Sequence, residues 1–174
     1  TFTTPAGKSA TVTGGTYGWS IDEDTELVNL QNSILNGEVV TREPAYYAGG
    51  TAAAHSGQDW GNTYAEVDMS AQHMWYIQNG QVVLETDVVT GEPIPSKITP
   101  EGVYSLMWKQ PNSVLVGDIN PDTGEPAYRT KVKYWMQVTS SGVGFHDATW
   151  QTAFGGTLYQ IPGTGSHGCI NMPL

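Results

Sequence analysis

Turn-forming residues punctuate this chain too often for a fold built on long helices. Its 174 residues include 21 Gly and 10 Pro, spread from Pro5 to Pro173. Inside a helix each would cost roughly 1–3 kcal/mol. Between these breaks lie Val, Thr, Tyr and Trp, which suit a pleated, half-buried surface. The combination predicts a mainly β protein rather than a helical bundle. The sharpest local signal is Asn79-Gly80, between the β-rich runs 72–77 and 81–89. Both residues tolerate the positive φ of a type I′ hairpin turn. Further strands are expected at 65–68, 102–108, 130–139 and 142–145, with a glycine-interrupted strand over 10–21.

One helix is expected. Asp22 or Asp24 can cap it, and Glu23, Asp24 and Glu26 place negative charge at the positive end of its dipole. Leu27, Val28, Leu30, Ile34 and Leu35 follow at helical spacing, and Gly37 fits the residue after the helix. From Gly49 to Gly61 the composition turns small and polar. That change predicts a boundary between a small α+β N-terminal segment and the β-rich remainder.

Charge removes whole classes of function. Seven Lys and Arg against 17 Asp and Glu give a net charge of −10. Nucleic-acid binding needs a basic stripe, so no nucleic-acid partner is expected. The acidity also opposes docking on an anionic membrane, though not binding of cationic substrates. No apolar run approaches the roughly 18 residues of a membrane span, and the start shows no signal peptide. The chain opens at Thr1 without an initiator Met. It is therefore expected to be an excised or processed piece, with any membrane contact made only through an N-terminal anchor that it lacks.

Three features invite chemical readings and receive plain ones. Asp118, Asn120 and Asp122 have calcium-loop spacing, but Thr123 stands where the sixth-position Gly belongs and Arg129 where the twelfth-position Glu belongs. A surface loop is expected instead. His55, within the boundary, and His73, in a strand, have no partner at a meaningful spacing, and are read as solvated and structural. The six Trp are read first as core material.

Cys169 is different in kind. As the single cysteine it excludes an intramolecular disulfide and any cysteine-rich zinc site. It stands in Gly165-Ser166-His167-Gly168-Cys169-Ile170-Asn171, a small, polar setting where a core residue gains little. A free thiol titrates near ~8.5 and holds only a few per cent thiolate at neutral pH. A reactive one needs an imidazolium, a base, or N–H groups aimed at it. Gly168 lets the main chain approach a substrate, so the N–H groups around Gly168 and Cys169 can form an oxyanion hole. In an extended chain His167 and Cys169 point to the same side. His146, at the end of a strand, is the other candidate base. A zinc site from His146, His167, Cys169 and Asp147 is chemically possible but lacks a ligand motif, and it ranks well below. No metal or cofactor is expected.

Ser166-His167-Gly168-Cys169-Ile170-Asn171, preceded by His146, resembles the signature of the L,D-transpeptidase (YkuD-like) catalytic domains: His, a spacer, then Ser/Thr-His-Gly-Cys-hydrophobic-Asn. The resemblance extends over about 62–174 and takes in the stretches 62–68, 72–76, 99–105 and 141–150. Residues 1–58 resemble the end of the peptidoglycan-binding domain that precedes such enzymes in Gram-positive bacteria, leaving 59–174 as the catalytic domain. Nineteen residues separate His146 from Ser166, somewhat more than the family's usual spacer. The extra length is expected in the loop 161–165, at the pocket rim. Family domains continue beyond the Asn, so a C-terminal part is expected to be missing here.

The resemblance implies a mainly β domain of two packed sheets, outside the membrane, that cross-links peptidoglycan. Cys169 would attack the carbonyl joining the third stem residue to the terminal D-alanine of a tetrapeptide stem. His146 would be base and partner of the thiolate, and N–H groups near His167, Gly168 and Cys169 would hold the oxyanion. An amine of a second stem would resolve the thioester into a 3→3 cross-link. Tyr128 and Trp150 would line the substrate pocket, while Ser166 and Asn171, also at the site, would organise the turn. The implied partners are donor and acceptor stem peptides, with carbapenems as covalent inhibitors. An L,D-carboxypeptidase and a non-catalytic wall-binding module are the alternatives.

Overall fold

A computed structural model describes residues 1–48 and 58–174. The core of the expected boundary, 49–57 with His55, lies outside the described residues. The chain divides into two compact units. One comprises Thr1–Phe2, Ser9–Asp59 and Glu101–Ser105, the other Thr3–Lys8, Trp60–Pro100 and Leu106–Leu174.

In the first unit, Trp19–Ile21 pairs antiparallel with Tyr46–Ala48, and the helix Glu23–Leu35 lies between them in sequence. Asp22 caps it: Oδ1 accepts the Thr25 N–H at 3.0 Å and Oδ2 the Thr25 hydroxyl at 2.8 Å. Such a cap is worth about 1 kcal/mol. At the other end Gly37 takes φ +64, with Glu38 N–H donating to Ser33 O and Gly37 N–H to Ile34 O, so the last carbonyls are satisfied. The Arg42 guanidinium grips the Glu26 carboxylate at 2.7 and 2.8 Å and holds that carboxyl below its usual range. The apolar stripe of the helix is not buried, since Leu27, Val28, Leu30, Ile34 and Leu35 are all at least half exposed. The strand expected over 10–21 shrinks to Ala10 at its start, its last three residues and a Gly15–Val103 bridge. Gly14, Gly15 and Gly18 adopt positive φ and break the extended backbone.

The second unit is built of two sheets. Tyr64–Asp68, His73–Gln78 and Gln81–Asp87 form a three-stranded antiparallel sheet in chain order. Its tight turn is the expected one, with Asn79 at φ 53 and Gly80 at φ 79. The four-stranded sheet runs Trp108–Val116, Arg129–Gln137, Gly144–Asp147, Ile170–Met172. The first three pair antiparallel, and the last joins parallel. Met74, Val88 and Ile170 form the buried core between the sheets, flanked by Val67, Tyr76, Val143, Phe145 and Met172. The described residues are thus mainly β, with packed sheets and one α-helix.

Two local expectations are corrected. No strand occupies 102–107: Gly102 sits at φ +143, Val103 makes only an isolated bridge, and the strand begins at Trp108. It then runs through Pro111, tolerated because this strand forms the sheet's edge, where a missing N–H leaves no partner unsatisfied. Nor are all the Trp core material. Trp75 and Trp135 are buried, but Trp108 and Trp150 are half exposed. The 118–124 segment is an exposed turn in which Asn120 Oδ1 accepts the Asp122 N–H at 2.8 Å.

Candidate active site

His146 belongs to the strand Gly144–Asp147 itself rather than to a loop after it, and pairs in parallel register with Asn171. Only 4% of it is exposed. Its ring lies 6.0 Å from the ring of Trp135 and 5.8 Å from that of Trp150, centroid to centroid. Nδ1 is 3.0 Å from the carbonyl oxygen of Asp147. A carbonyl only accepts, so Nδ1 carries the proton and Nε2 keeps its lone pair. Burial holds the imidazole below its usual pKa, so it is neutral at pH 7.

The 166–169 stretch bends at Gly168, which takes φ +116, so the same-side geometry that an extended chain would give His167 and Cys169 does not apply. Ser166 Oγ donates to Cys169 O at 2.5 Å and accepts the Gly168 N–H at 3.0 Å. Below the turn runs Thr90–Glu92. Ser166 N–H donates to Thr90 O, and Glu92 N–H to Ser166 O, each at 3.0 Å. Asn171 continues this stitching into the next strand by exchanging both main-chain bonds with Val89, at 2.9 and 3.0 Å.

The Cys169 thiol makes a long 3.6 Å contact to Gly142 O. Burial raises its pKa, and the Gly144 N–H, which favours the thiolate, only partly opposes that. Cys169 and His146 line one open cleft of about 190 Å³, with no hydrogen bond joining them. The resting pair is therefore a thiol and a neutral imidazole rather than an ion pair.

His167, Tyr128, Trp150, Ser166 and Asn171 line the same cleft, whereas Gly168 does not. The ring of Tyr128 tilts against that of His167 at 5.3 Å and rests on Gly117, where a Cβ would lie 2.6 Å from it. Burial pushes the Tyr128 hydroxyl up. Asn171 is buried, its Nδ2 donating to Gln151 Oε1 at 2.5 Å while Oδ1 has no partner among the described residues. Of the main-chain donors at the turn, Gly168 N–H is taken by Ser166, while those of His167 and Cys169 bond to none of the described residues. Among the described residues, no three His, Cys, Asp or Glu side chains assemble as a metal-ligand group. Asp147 Oδ1 is engaged by the Tyr134 N–H at 2.8 Å.

Two supporting residues were not found from the sequence. Glu92 accepts from Lys97 Nζ at 2.7 Å and from the Gly163 N–H at 3.1 Å, tying down the rim loop 163–165. Lys97 holds that carboxyl below its usual range. Thr99 reaches the turn across 69 residues of sequence, donating to Gly168 O at 2.8 Å. Neither contact leaves a spacing signal.

A two-sheet β framework carrying a neutral imidazole and a thiol in one cleft defines a cysteine–histidine domain. Residues 62–173 match the L,D-transpeptidase catalytic domain family (YkuD), and the chain belongs to that family. The crystal structure of a cysteine-to-serine mutant of the Enterococcus faecium L,D-transpeptidase is 42% identical, with a TM-score of 0.75, over 98% of this chain and 64% of that one. The avibactam carbamoyl form of Ldtfm gives the same identity and TM-score over 98% of this chain and 62% of that one. The E. faecium catalytic domain acylated by ertapenem is 47% identical, with a TM-score of 0.53, over 64% of this chain and 81% of that one. The chain therefore spans less than two thirds of the longer relatives. Comparison with curated proteins returns no match.

Proposed function

We propose that this chain carries the cysteine chemistry of a peptidoglycan L,D-transpeptidase and forms 3→3 cross-links. The observation that supports this best is Cys169 and His146 lining one cleft, with the Cys169 N–H beside them unpaired among the described residues. As Sγ attacks the carbonyl before the terminal D-alanine, His146 Nε2 takes the thiol proton. The Cys169 and His167 N–H groups receive the oxyanion. The imidazolium then returns its proton to the leaving D-alanine amine, and a thioester remains. An acceptor amine attacks the thioester, His146 takes its proton, and the thiolate leaves and is reprotonated. No charge needs to be stored between turnovers, which suits a resting pair that is neutral.

Residues 59–174 form the catalytic part in this proposal, and 1–58 the end of a wall-binding domain, working outside the membrane. The family match beginning at 62 supports the first assignment, and the resemblance of 1–58 the second. Acylation by carbapenems is part of the same proposal, supported by the ertapenem and avibactam adducts of the E. faecium domain and Ldtfm. The test is incubation with purified tetrapeptide-stem muropeptides, followed by mass spectrometry. A 3→3 dimer with released D-alanine is expected, and its loss in Cys169→Ala. Tripeptide alone would mean that water resolves the thioester, making the chain an L,D-carboxypeptidase. No product and no labelling would leave the wall-binding module.

A further inference from the structure

We infer that Thr99 is the positioning residue of the oxyanion hole, acting on the Cys169 N–H through the Gly168–Cys169 peptide. The inference rests on the proposed function and deepens it. The Gly168–Cys169 unit is a trans peptide, as are all among the described residues. Its carbonyl and N–H therefore point to opposite edges of one plane. The carbonyl edge is fixed: Thr99 Oγ1 donates to Gly168 O at 2.8 Å. That hydroxyl is itself oriented, because it accepts the Gly91 N–H at 2.9 Å and so has its proton free for Gly168. Thr99 is only 7% exposed.

The opposite edge of the same plane is the Cys169 N–H, without a partner among the described residues. Fixing one edge fixes the other, so the donor is aimed before substrate arrives. The relay also runs in one sense, from Gly91 N–H to Thr99 Oγ1, from Thr99 O–H to Gly168 O, and so to the Cys169 N–H. Each bond polarises the next and makes the last donor stronger. The space beneath admits no slack, since a Cβ on Gly91 would lie 3.0 Å from Gly168 Cα and 1.9 Å from Lys97 O. Gly168, at φ +116, needs such holding because glycine restrains its own peptide least.

Two reactions of the same sulfur separate aiming from general damage. Ertapenem acylation passes through an oxyanion, whereas iodoacetamide alkylation is displacement at carbon and passes through none. Thr99→Val removes the hydroxyl and keeps the branch. It is expected to slow ertapenem acylation roughly tenfold to a hundredfold, below the full cost of deleting a donor. Alkylation should stay within about twofold, with an unchanged pH profile. Thr99→Ser, which keeps the hydroxyl and folds with least disturbance, should acylate within about threefold of the wild type.

Wild-type acylation by Thr99→Val would overturn the inference. So would alkylation falling in step with acylation, or a tenfold loss in Thr99→Ser, which decides the matter even if the valine variant fails to fold. A wild-type chain that is alkylated but never acylated would instead count against the transpeptidase proposal itself.

Discussion

His146 Nδ1 sits 3.0 Å from the carbonyl oxygen of Asp147, the next residue in the chain. The imidazole is thus oriented by the main chain rather than by a carboxylate. The Asp147 carboxylate is turned to the Tyr134 N–H at 2.8 Å. No side-chain substitution can remove the acceptor that holds the imidazole, so the proposed base is tested by replacing the imidazole itself. His146→Gln is expected to lower β-lactam acylation roughly 10²–10⁴-fold, the usual contribution of a positioned base. Timed mass-spectrometric labelling measures it.

The neutral resting pair makes a prediction about pH. Burial holds the Cys169 thiol above its ordinary pKa and the His146 imidazole below its own. Iodoacetamide alkylation, which needs thiolate, should climb through pH 9 with no plateau near neutrality. Acylation, which needs a neutral imidazole, should persist on the acid side of pH 6.5, the ordinary histidine value. A flat alkylation profile from pH 5 to 8 would show an ion pair and overturn this arrangement.

Glu66 predicts a pH-dependent stability remote from the chemistry. Burial, helped by the Asp68 carboxylate, raises its carboxyl to about 7 from 4.5, and Oε2 has no hydrogen-bond partner among the described residues. The folded state therefore holds a proton that the unfolded state releases between these values. Its contribution to stability is intact below pH 4.5 and is lost as pH rises toward 7. Glu66→Gln cannot lose that contribution, so its melting temperature should match the wild type at pH 4.5 and exceed it at pH 8. Glu66 is only half-buried, and after solvent screening the gain is about 1 kcal/mol, or about 2–4 °C. Parallel melting curves from pH 4.5 to 8 check it.

Gly91→Ala tests the floor of the cysteine turn. The added Cβ would meet Lys97 O at 1.9 Å and Thr99 N at 2.9 Å, so main chain has to move. A loss of about 1–3 kcal/mol or more is expected, as for other overpacked sites. Acylation should fall as well, because the segment that shifts is the one bridged to Ser166 and packed against Gly168. Calorimetry alongside labelling rates reads both.

What the sequence disclosed follows the range of the forces involved. The Asn79-Gly80 hairpin and the Asp22-to-Gly37 helix are local, written in turn and capping chemistry within a few residues. The strand Trp108–Val116 was hidden by Pro111, whose meaning depends on the strand being at a sheet edge, a tertiary fact. In the site, Ser166, Cys169 and His146 were legible because their residue types carry chemistry. Thr99 and Glu92 were not. One is an ordinary threonine and the other an ordinary glutamate until the fold brings them to Gly168 and Gly163, distant in sequence.

The parallel pairing of His146 with Asn171 carries a last consequence. Side chains alternate along a strand, so a slip of one residue would put Phe145 or Asp147 in the place of His146 and turn the imidazole to the other face. The same slip would pull Phe145 from the core. On the proposed chemistry a misaligned molecule is then not slower but silent. Titrating the fraction of a refolded sample that a β-lactam labels would thereby count the molecules whose strands found their alignment.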